Sequence, residues 1–312
     1  MHKVNESLAA WTTFRIGGKA RDFWVISSES ELEEAWQAAS GRRPVILGGG
    51  SNVLLPDEDL DLVWKMGRCA SAWERVDEYT VRVWAGNQTA ATAWSLVRAG
   101  LGGWAEMTTL PGTIGGAVVG NAHAGGMLIG ERVVRVETVK VSDGQKHVWL
   151  GQDGAWGYDR SRFQEIPEAV ITWVDLRVDP GQDPAAMTQV ARELMARKRQ
   201  TQDPSEPSAG CFWQNVPNDS RLRALWPEMA TRSLIPSGWI VEQSGVEIPS
   251  TAIVTLGKHR AYLVNRGGAT AGQVRQVAAQ IRQWVGEKFD VWLETEVVVL
   301  DQNGRRLSAA EL

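Results

Sequence analysis

Residues 47–52, "LGGGSN", set three consecutive glycines and a hydroxyl and an amide side chain directly after the apolar run "PVI". Glycine adopts φ > 0 without penalty and lets backbone N–H groups converge on an anion, so this loop suits a phosphate. Neither common phosphate-loop spacing fits. The lysine of G-x-x-x-x-G-K-[ST] is absent, and G-x-G-x-x-G needs glycine where Val53 stands. A tight turn between two strands is the other reading of the same residues. A second glycine-rich stretch, Met107 to Gly130, spans 24 residues with seven glycines and no Asp, Glu, Lys or Arg. Its length alone would pass for a membrane span, but its glycines, Pro111, Asn121 and His123 make a poor apolar helix. It reads as a buried, backbone-rich ligand loop. Two kinds of titratable side chain stand out. Cys211 is by type a buried structural thiol, and Glu294 and Glu296 share one face of a strand by period-2 alternation.

The elements around these residues alternate. "RDFWVIS" reads as a strand, "SESELEEAWQAAS" as a helix with Ser28 and Glu31 in capping-box spacing, and "RPVILG" as a strand that ends at the glycine loop. "YTVRVWAG" is strand-like and "QTAATAWSLVRAG" is a helix closed by Gly100. "RVVRVETVKVSDGQKHVWL" is a hairpin turned at Asp143-Gly144, and "AVITWVDLRVD" is a further strand. The helix "PAAMTQVARELMARKRQ" runs into "TQDPSEPS", a joint that marks a boundary near residue 203. Beyond it come "GWIVEQSG", the less regular "VEIPSTAIVTLGKH", the strand-like "AYLVN", a helix over 271–289 with Thr270 as N-cap, and a last strand, "VWLETEVVVL".

Composition excludes several classes. With 33 Lys and Arg against 37 Asp and Glu there is no basic block to track a nucleic acid, so no nucleic-acid partner is expected. Cys69 and Cys211 form no C-x-x-C and the four histidines share no ligand-like spacing, so no disulfide framework and no metal are expected. "MHKVNESLAAWTTFRIGG" has no apolar stretch of signal-peptide length, and a cytoplasmic monomer without a membrane partner is expected.

Taken in order, "TTFRIGG" (12–18), "LGGGSN" (47–52), "LPGTIGGAVVGNA" (110–122), "GYDRSRF" (157–163) with "SAGCFWQN" (208–215), and "LETEV" (293–297) resemble the UDP-N-acetylenolpyruvoylglucosamine reductase (MurB) family over nearly the full length. The short interval between Ser161 and Ser208 resembles its type II subclass. The resemblance implies an α+β fold: a two-part FAD-binding domain of the MurB and vanillyl-alcohol-oxidase (PCMH) type, plus an α+β substrate-binding domain. The implied boundaries are 1–60 and 61–202 for the FAD-binding subdomains and 203–290 for the substrate domain, with the C-terminal strand 291–312 returning to the second subdomain.

It implies a reaction as well. NADPH reduces non-covalent FAD, and the enolpyruvyl ether of UDP-N-acetylglucosamine is reduced to UDP-N-acetylmuramate for peptidoglycan. The implied FAD ligands are Gly48, Gly49, Gly50, Ser51, Asn52, Pro111, Gly112, Thr113, Gly115, Gly116, Ala117 and Asn121. Hydride addition at C3 leaves enolate character at C2, which calls for a proton donor and for cationic stabilisation of the carboxyl oxygens. By resemblance the donor is Cys211, and the family's E-V pairing selects Glu296 as the catalytic glutamate. Tyr158, Asn215 and Glu242 match substrate-binding positions.

The arginine departs from the pattern. Asp159 occupies the column where the family has arginine, so Arg160 is the expected catalytic cation and Arg162 the reserve, with an ion pair to Asp159 as the alternative for Arg160. Gln214 stands where the family has lysine, and Lys258 is a possible substitute. Two other functions remain open: a flavin oxidase of the wider FAD-fold group, and a catalytically silent flavin or nucleotide-sugar binder. Asn52 at the loop end, in place of a flavin-linking histidine, favours non-covalent FAD, and retention of Cys211 and Glu296 favours an active reductase.

Overall fold

A computed structural model describes residues 1–166, 168–203, 205–248 and 253–312. Residue 204 of the joint and residues 249–252 of "VEIPSTAIVTLGKH" lie outside the described residues. The chain divides into two compact units, one of Met1–Glu6, Ala20–Gly49 and Leu60–Gln200, the other of Ser7–Lys19, Gly50–Asp59 and Thr201–Leu312.

The first unit holds two sheets. One runs in the order His2–Ser7, Lys19–Ile26, Leu60–Met66, Val45–Leu47, and its last two neighbours pair in parallel. Helix α1 (Glu29–Ala39) crosses between its strands. The side chain of Ser28 accepts from the Glu31 N–H as the capping-box spacing requires, and Leu32, Ala35 and Ala39 are buried on one face. The second sheet is antiparallel and five-stranded: Lys146–Leu150, Val133–Lys140, Ala169–Arg177, Thr80–Trp84, Glu74–Arg75. Its hairpin turns at Gly144, which has φ 71°. Helix α2 (Thr89–Arg98) and the apolar side of this sheet share a core that includes Val83, Leu96, Trp104 and Val174. Helix α4 (Pro184–Thr201) closes the unit.

The glycine-rich stretch holds an element that the sequence reading missed. Ile114–Gly120 forms a helix, α3, capped by the Thr113 hydroxyl, which accepts from the Gly116 N–H at 3.3 Å. Three glycines in seven residues oppose helix formation by propensity, each by about 1 kcal/mol relative to alanine. Burial of Ile114, Ala117 and Val118 overrides it. Among the described residues no helix is long and apolar enough to cross a membrane.

In the second unit, helices α5 (Ser220–Leu225), α6 (Ser237–Ser244) and α7 (Ala271–Phe289) gather around one core with Phe14, Leu54, Phe212, Trp213 and Leu263. Thr270 caps α7 as expected, and Asp57 adds a second cap by accepting from the N–H groups of Ala271 and Gly272. The C-terminal segment differs from expectation. Val298–Val299 pairs in parallel with Val53–Leu54, and the second sheet of the first unit contains no strand from it among the described residues. The cause is the burial of alternate residues Leu293, Val297 and Val299 in the core around Phe14 and Ile240, which satisfies this segment inside the second unit.

Candidate active site

The glycine loop and the "PGT" turn approach each other backbone to backbone within the first unit. A Cβ on Gly48 would stand 2.8 Å from Thr113 Oγ1, and one on Gly49 would collide with the backbone of Gly112. Gly115 is under the same constraint, since its Cβ would lie 2.9 Å from that of Ala85. The turn is pinned by three main-chain bonds: Thr89 N–H to Gly112 at 3.0 Å, Ile114 N–H to Asn87 at 2.9 Å and Gly115 N–H to Ala85 at 2.8 Å. Residues 85–89 are thus a support that motif reading missed, because their role is to donate and accept through the backbone. Asn87 is buried and stiffens them, accepting from the Cys69 N–H and donating to Ser71 and Ala72. The Thr89 hydroxyl is buried with no hydrogen-bond partner among the described residues. Pro111 is exposed and Ala117 is buried on α3. Asn121 ends α3 at φ 44°. Its amide bonds to the Gly157 carbonyl and the Gly130 N–H, so the side chain clamps protein to protein.

The 157–163 segment is not an extended strand. It folds back on itself through paired bonds between Gly157 and Arg160, with Asp159 in the left-handed region at φ 50°. Arg160 therefore turns outward, is 68% exposed and pairs with Glu165 at 2.7 Å rather than with Asp159. Arg160, the expected catalytic cation, is thus paired with Glu165. Arg162 is committed elsewhere: its Nε donates to the Asp153 carbonyl at 2.5 Å and its guanidinium lies 5.4 Å from the Trp149 ring. Asp159 is the inward residue, 10% exposed, with Oδ1 3.4 Å from His123 Nδ1. Tyr158 sits beside the same histidine, ring centroids 5.3 Å apart. Ser161 is buried and donates to the Val119 carbonyl at 2.7 Å.

In the second unit Cys211 and Glu296 stand close along the backbone. The Glu296 N–H donates to the Phe212 carbonyl at 2.9 Å, and Thr295 bridges Trp213. Cys211 lies opposite Tyr262, where the Phe212 N–H donates to the Ala261 carbonyl at 2.8 Å, so the two side chains project from one face. The phenol of Tyr262 is pushed up by burial first, then by negative charge at Cys211 and Glu296. Tyr262 was not among the sequence candidates, since only the strand pairing brings it to the thiol. Period-2 alternation could not choose between the two acids of "LETEV". The structure leaves Glu294 exposed near Arg282, at 3.6 Å, and Glu296 half-buried.

The remaining second-unit candidates are spread over its loops and α6. The Asn52 amide donates to the Glu296 carbonyl at 3.2 Å, and Gly50 accepts from the Thr13 N–H at 3.0 Å. Ser51 is half-buried between them. The side chain of Asn215 accepts from the Ser237 N–H at 3.1 Å and so holds the start of α6, on which Glu242 is exposed. Gln214 is half-buried, and Lys258 is exposed near Asp203.

Residues 202–300 match the C-terminal domain of UDP-N-acetylenolpyruvoylglucosamine reductase, and residues 23–148 match an FAD binding domain. The UDP-N-acetylenolpyruvoylglucosamine reductase of Trichormus variabilis is 30% identical over 96% of this chain and 86% of its own length. The chain belongs to the UDP-N-acetylenolpyruvoylglucosamine reductase family. Reductase 2 of Symbiobacterium thermophilum is 31% identical over 96% of this chain and 92% of its own. The crystal structure of the family's enzyme from Thermus caldophilus aligns with a TM-score of 0.72 at 26% identity, covering 96% of this chain and 98% of that one. As a member of the reductase family, the protein is a flavoprotein oxidoreductase of peptidoglycan precursor synthesis that uses FAD and NADPH.

Proposed function

We propose that the reduction of UDP-N-acetylglucosamine enolpyruvate runs on Cys211 and Glu296, with FAD held by the two glycine-bearing segments. The close approach of Gly48 and Gly49 to Thr113 and Gly112 supports the cofactor assignment. A surface bare of Cβ atoms, its backbone pinned by residues 85–89, is what a diphosphate needs in order to reach main-chain N–H groups. On this reading Gly48, Gly49, Gly50, Ser51, Asn52, Pro111, Gly112, Thr113, Gly115, Gly116 and Ala117 surround the cofactor. Asn121 fixes the end of α3 rather than contacting it through its amide. Bound FAD supplies the two-electron carrier between NADPH and the enolpyruvyl double bond.

The chain's own part is protonic and electrostatic. Hydride arrives at C3 of the enolpyruvyl group, C2 takes up the electron pair of the double bond, and the thiol of Cys211 gives its proton to C2, leaving a thiolate that solvent reprotonates. Glu296 enters the same backbone pairing, since its N–H donates to the carbonyl of Phe212, the residue after Cys211. Tyr158, Asn215 and Glu242 are the proposed substrate contacts. The domain boundaries 1–60, 61–202 and 203–290, a cytoplasmic location and a monomeric state complete the proposal.

The observation that carries the reading is Cys211 and Glu296 held together by adjacent main-chain pairing. The test is anaerobic stopped-flow on purified protein. NADPH should bleach the flavin, and the enolpyruvyl nucleotide sugar should restore its colour. Cys211→Ala should leave the first step within about twofold and slow the second by about 10²–10⁴. Equal slowing of both steps would make Cys211 structural.

A further inference from the structure

Tyr262 stands directly across the strand pairing from Cys211. The bond that closes this pair runs between the flanking residues, from the Phe212 N–H to the Ala261 carbonyl, so Cys211 and Tyr262 form a pair of the non-hydrogen-bonded kind, whose side chains approach most closely. The root of the tyrosine is fixed. Its N–H donates to the His259 carbonyl at 2.8 Å, its own carbonyl accepts from the Gly257 N–H at 2.9 Å, and its ring lies 5.2 Å from that of His259. Gly257 leaves it room, since a Cβ there would stand 3.1 Å from that of Tyr262. The other end of the ring is different. A phenol drawn into a protein ordinarily finds a partner for its O–H, yet Tyr262 is half-buried and its hydroxyl makes no hydrogen bond among the described residues. A rigidly held donor beside the thiol is thus left for something other than the protein.

We propose that the Tyr262 phenol donates a hydrogen bond to the enolpyruvyl carboxylate while Cys211, opposite it, protonates C2. This rests on the reductase reading with Cys211 as proton donor, and it adds a catalytic residue to that site. The carboxyl carbon is bonded to C2 itself. A substrate placed with C2 at the thiol therefore has its carboxyl oxygens beside the side chain that pairs with Cys211, and the phenol, longer than the thiol by an aromatic ring, reaches past it to meet them. The chemistry calls for such a donor. Hydride addition forms the C3–H bond and sends the pair of the double bond to C2, from which charge spreads onto the carboxyl oxygens until the Cys211 proton closes the new C2–H bond. The phenol keeps its own proton throughout and leaves the cycle unchanged. Burial and the negative charge at Cys211 and Glu296 hold that phenol in its protonated, donating form. Arg160 and Arg162 are both engaged, with Glu165 and with Asp153 and Trp149 respectively.

The experiment compares Tyr262→Phe with the parent flavoprotein in both half-reactions and in calorimetric binding of two nucleotide sugars to the oxidised form. Removing a hydroxyl that bonds to no described residue should leave flavin content and the neutral-pH melting temperature unchanged, and reduction by NADPH within about twofold. Reoxidation by the enolpyruvyl nucleotide sugar should slow about 10²-fold, the usual cost of one lost oxyanion donor. Binding separates a contact from mere packing. UDP-N-acetylglucosamine, which has no carboxylate, should bind the variant as it binds the parent, whereas the enolpyruvyl compound should bind about tenfold more weakly. Parent-like reoxidation in Tyr262→Phe, or equal weakening of both ligands, would overturn the proposal and leave the reductase reading standing. A parent protein that NADPH bleaches and the enolpyruvyl substrate fails to recolour would sink that reading, and this proposal with it.

Discussion

Gly49→Ala is the substitution whose consequence the structure fixes most directly. The added methyl would overlap the backbone of Gly112 and stand 3.2 Å from the Thr113 nitrogen, so either the 47–49 loop or the "PGT" turn must retreat. The turn cannot retreat freely, because Thr89, Ile114 and Gly115 hold it through bonds of 3.0, 2.9 and 2.8 Å. Overpacking costs about 1–3 kcal/mol, and each weakened main-chain bond adds up to about 1 kcal/mol. A total near 3 kcal/mol follows, within the ~5–15 kcal/mol stability of a folded chain, so the protein should still fold. For a unit of this size that corresponds to a melting temperature lower by roughly 6–12 °C. Scanning calorimetry of the flavin-free protein measures that shift, and absorbance of the purified protein measures the retained flavin, which should be largely lost. Gly120→Ala is the control. Nothing lies within 4 Å of its Cβ, it ends α3, and it should gain about 0.5–1 kcal/mol with flavin unchanged. Full flavin content and an unchanged melting temperature in Gly49→Ala would refute the claim that backbone proximity is why glycine stands there.

Arg160→Ala should change stability by less than about 0.5 kcal/mol in thermal melts, because its pair with Glu165 is solvent-exposed. Arg162→Ala should cost about 1–2 kcal/mol through the lost bond to Asp153 and the lost contact with Trp149. Burial lowers the Lys65 ammonium to about 8 from 10.5. A lysine depressed in this way is favoured neutral, so its contribution improves as pH rises from 8 toward 10.5 and is lost below. Lys65→Met should therefore stabilise at pH 7 by up to about 3 kcal/mol and flatten that part of the pH–stability curve. The raised Tyr262 phenol works in the other direction. The unfolded phenol ionises first, so stability falls above pH 10, and Tyr262→Phe should remove that alkaline loss of stability.

What could be read from sequence was whatever local chemistry satisfies. Ser28 and Thr270 cap their helices, and Gly144 turns its hairpin, because each bond closes within a few residues of the motif that signals it. The glycine segments were legible as a ligand-binding backbone. That they are glycine for each other's sake, Gly49 against Gly112, depends on contacts 63 residues apart in sequence. Helix α3 was hidden because Gly115, Gly116 and Gly120 argue against a helix and only burial of Ile114, Ala117 and Val118 argues for one. The C-terminal strand showed its alternation, but not which apolar surface would take Val297 and Val299.

The arginine is a different case. Alternation along an extended chain puts residues 159 and 160 on opposite faces, and the folded-back turn with Asp159 at φ 50° does the same. The outward Arg160 and the buried carboxylate of Asp159 are thus one event. Placing an aspartate at that φ turns arginine to solvent and acid to the interior, where Oδ1 stands 3.4 Å from His123 Nδ1. A change at the 159 column therefore reaches His123, 36 residues away in sequence, before it reaches Arg160 beside it.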